Sequence, residues 1–165
     1  MTTLWKKPTL ISQFSTAEDQ DIPWDTNPLS LPLQLNGTLK HISRSPKHDI
    51  KNKTWTVKAT GFNFDDLPNS INGIELRLTV KRGGRARDDF IELCYEDLPI
   101  GENKASKEVL PTITYGGNTD IWAIDNVSKE MLENPSFGIM MRFKAHPDWP
   151  HQTNVQIDSV EMRIH

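Results

Sequence analysis

The side chains able to do chemistry are few and scattered. Five histidines, His41, His48, His146, His151 and His165, show neither an H-E-x-x-H pair nor the Cys/His spacing that a zinc site requires. No metal is expected at them; His146 and His151 flank a proline-rich turn, and His165, the last residue, is expected in solvent. The single cysteine, Cys94, has no histidine motif beside it, and its alternation parity sets it opposite Ile91 and Leu93. A packed small side chain is expected there rather than a nucleophile. No serine sits in a G-x-S-x-G elbow, and Gly83-Gly84 and Gly116-Gly117 match neither a P-loop nor a dinucleotide fingerprint, so both pairs read as turn glycines.

Two acidic pairs, Asp65-Asp66 and Asp88-Asp89, hold the carboxylates that glycoside hydrolysis or a calcium site would need to converge. Neighbours along a strand point to opposite faces, so loop capping and solvation are the expectation for both. Lys81, Arg82, Arg85 and Arg87 gather at one turn, read as a solvated basic tip balanced by the acids that follow. No catalytic residue and no cofactor is expected. The aromatic residues are another matter. Trp5, Trp24, Trp122 and Trp149 stand in or beside loops, where tryptophan serves interfaces and core packing about equally, with sugar stacking a third use. Trp5, Phe14, Trp24 and Trp149 are the candidates for a protein–protein interface.

What must position these residues is one domain. A chain of 165 residues buries roughly 70% of its unfolded surface and folds without staples. Its 19 basic and 22 acidic residues are interspersed, giving a net charge of −3, which argues against a general nucleic-acid binder. There is no run of about 18 apolar residues and no apolar signal segment near Met1, so an aqueous, cytosol-like space and no membrane partner are expected. Residues 1–50 carry Pro8, Pro23, Pro28, Pro32 and Pro46 among many polar residues and read as an extended arm. Within it only Leu31-Pro32-Leu33-Gln34-Leu35 alternates, as an edge strand tolerant of proline would.

From residue 51 to 165 the apolar period is two, the signature of strands. Trp55, Val57 and Ala59 share one face, and Ile74, Leu76, Leu78 and Val80 share the next. Arg82-Gly83-Gly84-Arg85 predicts a hairpin back through Ile91, Leu93 and Tyr95. A loop around 98–103 follows, then a strand over 109–115 broken by Gly116-Gly117. Ser128 as N-cap, Val127 packing onto Leu132 and Pro135 beyond the end predict a helix of about two turns. Two strands close the domain, one over 137–144 with Ile139, Met141 and Phe143 inward, one over 155–164. In the last, Val155 and Ile157 are odd while Val160, Met162 and Ile164 are even, so a bulge is required near Asp158-Ser159. The pattern predicts an all-β antiparallel sandwich or jelly roll with one short helix and an extended N-terminal arm. In the loop after the fourth predicted strand, Tyr115-Gly116-Gly117 makes a tight turn, Asp120 accepts backbone N–H groups and Trp122 plugs the end of the sandwich.

Several stretches resemble a pattern found in virion proteins of tailed bacteriophages: 59–64 with Leu67-Pro68 and 71–78; 88–93 with 101–105; the most specific, 115–122; then 137–139 and 157–162. The chain departs from that pattern at Cys94-Tyr95-Glu96-Asp97, where small residues are usual. The resemblance implies a non-enzymatic structural protein of the virion, made in the host cytoplasm, decorating or cementing the capsid. Its partners would be itself, as a homo-oligomer with a trimer favoured, and other virion proteins such as the major capsid protein. The alternative is a tail-associated adaptor or a receptor- or carbohydrate-binding module whose partner is a surface glycan.

Overall fold

The computed structural model describes residues 1–15, 23–24, 35–39, 53–83, 86–145 and 153–165, the side chains of 35–39 and 153–154 excepted. Among the described residues nine strands run in order: β1 Leu10–Phe14, β2 Leu35–Leu39, β3 Thr56–Thr60, β4 Ile74–Arg82, β5 Arg87–Tyr95, β6 Leu98–Ile100, β7 Thr112–Gly116, β8 Gly138–Lys144 and β9 Thr153–Ile164, with helix α1 Lys129–Glu133 between β7 and β8. They form two antiparallel sheets, ordered β2-β9-β4-β7 and β1-β3-β8-β5-β6. The pairs nest: β5·β6 lies inside β4·β7, that inside β3·β8, and that inside β2·β9. This is the order left when one long antiparallel hairpin is rolled up, the strand order of a jelly roll.

Alternation explains which faces meet. Ile74, Leu76, Leu78 and Val80 of β4 and Val57, Ala59, Ile139, Met141, Phe143, Ile91 and Leu93 of the other sheet are all buried in a single core. The predicted bulge in β9 is present: Ser159 faces Thr79 and Ile157 faces Val80, leaving Asp158 unpaired and switching the inward parity as the sequence demands. A second bulge lies in β5, where Asp88 faces Phe143 and Phe90 faces Arg142, with Asp89 the extra residue. Helix α1 is shorter than expected, at five residues, but capped as expected, with Ser128 Oγ accepting from Met131 N at 3.1 Å.

Three expectations need correcting. β4 and β5 do not form a hairpin; the turn between them carries the chain from one sheet to the other. β4 is already flanked by β9 and β7, so neither of its edges is open to β5. Glycines serve a corner as well as a hairpin, and Gly84 and Arg85 lie outside the described residues. Second, 98–103 is not all loop: Glu96 and Asp97, both at positive φ (48° and 66°), make a two-residue turn that returns β5 into β6. Third, the first 50 residues are not simply an arm. β1 pairs with β3, Ile11 and Trp24 join the core, and residues 3–6 run beside the end of β9: Thr3 N donates to Ile164 O at 2.9 Å and Lys6 N to Met162 O at 2.8 Å. The expected strand at 31–35 falls mostly outside the described residues; β2 begins at Leu35 and is an edge strand.

Candidate functional site

The stretch from Tyr115 to Trp122 folds back on the edge of the first sheet as a plug. Gly116 adopts φ +75°, and a Cβ there would lie 2.1 Å from Ile74 O and 2.6 Å from Trp122 Nε1, so the position requires glycine. Gly117 N donates to Ile74 O (3.3 Å), Asp120 N to Gly117 O (3.3 Å), and Ile74 N to Asp120 O (2.9 Å). Asp120 Oδ1 accepts from Trp122 N at 2.8 Å, and the indole Nε1–H of Trp122, fully buried, donates to Ile74 O at 2.9 Å. The backbone bond and the plug foreseen for Asp120 and Trp122 are both present. Lys104 adds an outer tie: its ammonium lies 2.8 Å from Asp120 Oδ2 and 5.4 Å from the Trp122 ring centroid.

Tyr115 reaches elsewhere. Its hydroxyl donates to Asp88 Oδ2 at 2.5 Å, across the core from one sheet to the other. Ser106 N also donates to Oδ2, at 3.0 Å. Arg82 Nη1 stands 2.8 Å from Asp88 Oδ1, with the two side chains 2% and 0% exposed. Its N–H direction misses the oxygen, so the contact is Coulombic rather than a hydrogen bond, and Arg82 Nε has no acceptor among the described residues. The guanidinium carbon lies 5.4 Å from the Phe143 ring centroid. Burial first, then the Asp88 charge, pushes the Tyr115 phenol well above its ordinary range. Expected solvation of Asp88 and Arg82 is therefore overturned: the bulge at Asp89 turns Asp88 inward, and Arg82, at the end of β4, meets it. Asp89 points the other way, against Lys53, Arg142 and Lys144 at 3.5, 2.7 and 2.9 Å. Asp65 and Asp66 are exposed, as expected.

The interface candidates separate. Trp24 is 4% exposed, its indole N–H donating to Trp55 O (3.0 Å) and its ring edge-on to Phe143 (6.0 Å), so it is core rather than interface. Trp5 is half-buried against two guanidinium groups, Arg77 at 4.3 Å and Arg163 at 4.5 Å from its centroid. Phe14 is 36% exposed and borders a depression of about 170 Å³ on the outer face of the second sheet, with Phe90, Pro99, Met140, Asp97 and Arg142. Trp149 lies outside the described residues, as do His41, His48, His146 and His151. His165 is not free in solvent: its Nε2 lies 2.9 Å from Glu75 Oε2, and its side chain is 13% exposed.

Among the described residues no group of three or more His, Cys, Asp or Glu side chains could hold a metal ion. No described helix is long and apolar enough to cross a membrane. Cys94 is fully buried, and burial pushes its thiol up to about 12. A thiol reagent is accordingly expected to leave the folded protein unlabelled at pH 8 and to label it fully in denaturant; rapid labelling of the native protein would contradict this placement.

The outer charge clusters predict a pH dependence. Burial pushes the Asp89 carboxyl up, but the Lys144 hydrogen bond and the Arg142, Lys144 and Lys53 charges outweigh it and hold it below its ordinary 3.8. At Glu75 burial is likewise outweighed by hydrogen bonds and charges from Arg163 and His165, leaving it below 4.5. Carboxyls lowered in the folded state stabilise it above their unfolded values and lose that contribution as pH falls through the folded ones. Glu92, pushed up by burial, acts in the opposite sense. Urea unfolding followed across pH should therefore show stability falling as the pH drops below about 4; a flat profile there would contradict the assignment.

No protein-family model and no curated protein matches the chain.

Proposed function

We propose that this protein is a non-catalytic structural component of a tailed-phage particle, a jelly-roll module that decorates or cements the capsid through contacts with itself and with the major capsid protein. The observation that carries the reading is the nested strand order, an architecture that recurs in viral capsid and lectin domains. It stands beside the phage-like stretches of the sequence, of which 115–122 forms the plug. A fold does not fix a function, and the chemistry of the described side chains adds support. The ionised groups in the interior are spent on each other, and the outer surface offers an apolar depression at Phe14 rather than converging acids or nucleophiles.

The alternative, a glycan-binding tail module, would call for an exposed aromatic platform. Trp24 and Trp122 are buried, and Trp5 is half-buried with two guanidinium groups against its ring. The decoration reading is tested by adding purified chain to particles assembled without it and sedimenting the mixture. Saturable binding at a fixed copy number per particle is expected. Failure to bind intact particles, with hits on a glycan array, would replace this reading by the alternative.

A further inference from the structure

We infer that the chain self-associates edge to edge through β7, so that a second copy continues the β2-β9-β4-β7 sheet across a two-fold axis. The inference rests on the self-association part of the reading above and gives it a surface. β7 is an edge of its sheet. Val80 N donates to Pro111 O at 2.8 Å and Gly117 N to Ile74 O at 3.3 Å, at the two ends of a ladder in which Leu78 faces Ile113 and Leu76 faces Tyr115. In an antiparallel ladder the bonded positions recur every second residue. Ile113 and Tyr115 therefore turn their main-chain groups toward β4, while Thr112 and Thr114 turn theirs away from it. Both threonines are exposed, and no strand among the described residues pairs with them. Unpaired groups of this kind take an extended backbone.

The second copy is the occupant that the sequence of this edge fits. An antiparallel edge is self-complementary under a two-fold axis. Centred on Ile113, it sets Thr112 of one copy opposite Thr114 of the other, so that the outward N–H and C=O groups of both find partners. The same register brings Val109 and Leu110, each 53% exposed, level with Gly117 and Gly116 of the second copy. A large apolar pair then lies beside residues with no side chain, and the side-chain position of Gly117 is open space. From Val109 to Thr119 the chain carries no ionisable carboxylate, ammonium or guanidinium, so two copies approach without like-charge repulsion. By contrast β6, the edge strand of the other sheet beside β5, is three residues long and contains Pro99, features that discourage strand addition.

Sedimentation equilibrium on the full chain tests this. The wild type is expected to be a dimer. Thr114→Pro removes an outward N–H that the monomer does not use, and should weaken the dimer by at least about tenfold. The pair Thr112→Glu, Thr114→Glu sets carboxylates directly opposite across the contact and should do the same, with circular dichroism unchanged in either case. A monomeric wild type overturns both the contact and self-association, and a three-fold oligomer overturns the two-fold contact. A dimer indifferent to both variants overturns the β7 location alone. A sensitive dimer that fails to bind particles keeps the β7 contact and overturns the virion reading.

Discussion

Asp88→Ala is expected to lower the free energy of unfolding by about 3–5 kcal/mol, a large part of the roughly 5–15 kcal/mol available to a domain of this kind. The carboxylate is completely buried, and among the described residues it alone balances the Arg82 guanidinium, 2% exposed and 2.8 Å away. It also accepts the Tyr115 hydroxyl and the Ser106 N–H. Without it a buried cation has no counter-charge and two donors lose their acceptor. The comparison that isolates this cause is the triple replacement Arg82→Met, Asp88→Leu, Tyr115→Phe, which removes the charge pair and the phenol together and leaves only the Ser106 N–H without its acceptor. Buried ionic groups replaced as a set by apolar ones of similar volume are often neutral or stabilising, so the triple variant should be markedly more stable than Asp88→Ala. Urea denaturation measures both. If the single variant loses less than the triple, the cross-sheet charge contact contributes little and the account of this network fails.

Trp122→Ala should cost about 3–5 kcal/mol, the range for emptying a large buried aromatic site. The indole is fully buried and its N–H ties the plug to Ile74 O. Trp122→Phe keeps most of the packing and deletes the donor. Because Gly117 N still reaches Ile74 O, that carbonyl is not left alone, and the loss should stay near 1 kcal/mol. Equal losses in the two variants would show that the hydrogen bond, not the filled volume, holds the plug. Either way the readout is thermal or chemical unfolding, since no activity is needed to score it.

How far these features were legible in the sequence depends on whether apolar residues marked them. The alternation of β4, the parity switch at Asp158 and the inward faces of β8 and β9 rest on aliphatic residues at period two, and each appears as expected. The plug was legible too, because Gly116, Gly117, Asp120 and Trp122 each have a narrow physical use in a turn. The β5 bulge was not. Its inward residue on the far side is Asp88, so no apolar residue recorded the change of parity, and a buried ion pair was read as solvated charge. The β5–β6 turn was hidden likewise, because Glu96 and Asp97 hold positive φ where Asn-Gly would have announced it. Sheet assignment was beyond local pattern altogether: Arg82-Gly83 suits a hairpin or a corner, and only the competing partners β7 and β9 decide between them. Trp24 and Ile11 show the same limit in the first 50 residues, where prolines suggest an arm and long-range packing makes part of it core.

The central claim, that this jelly roll is a component of a phage particle, is tested most directly by antibody-gold labelling of intact particles with an antibody raised against the recombinant chain. Regular labelling of the head is the predicted result, and tail labelling would move the protein to the adaptor or receptor-binding reading. No label on intact or denatured particles, while an antibody to the major capsid protein labels them, would contradict the claim.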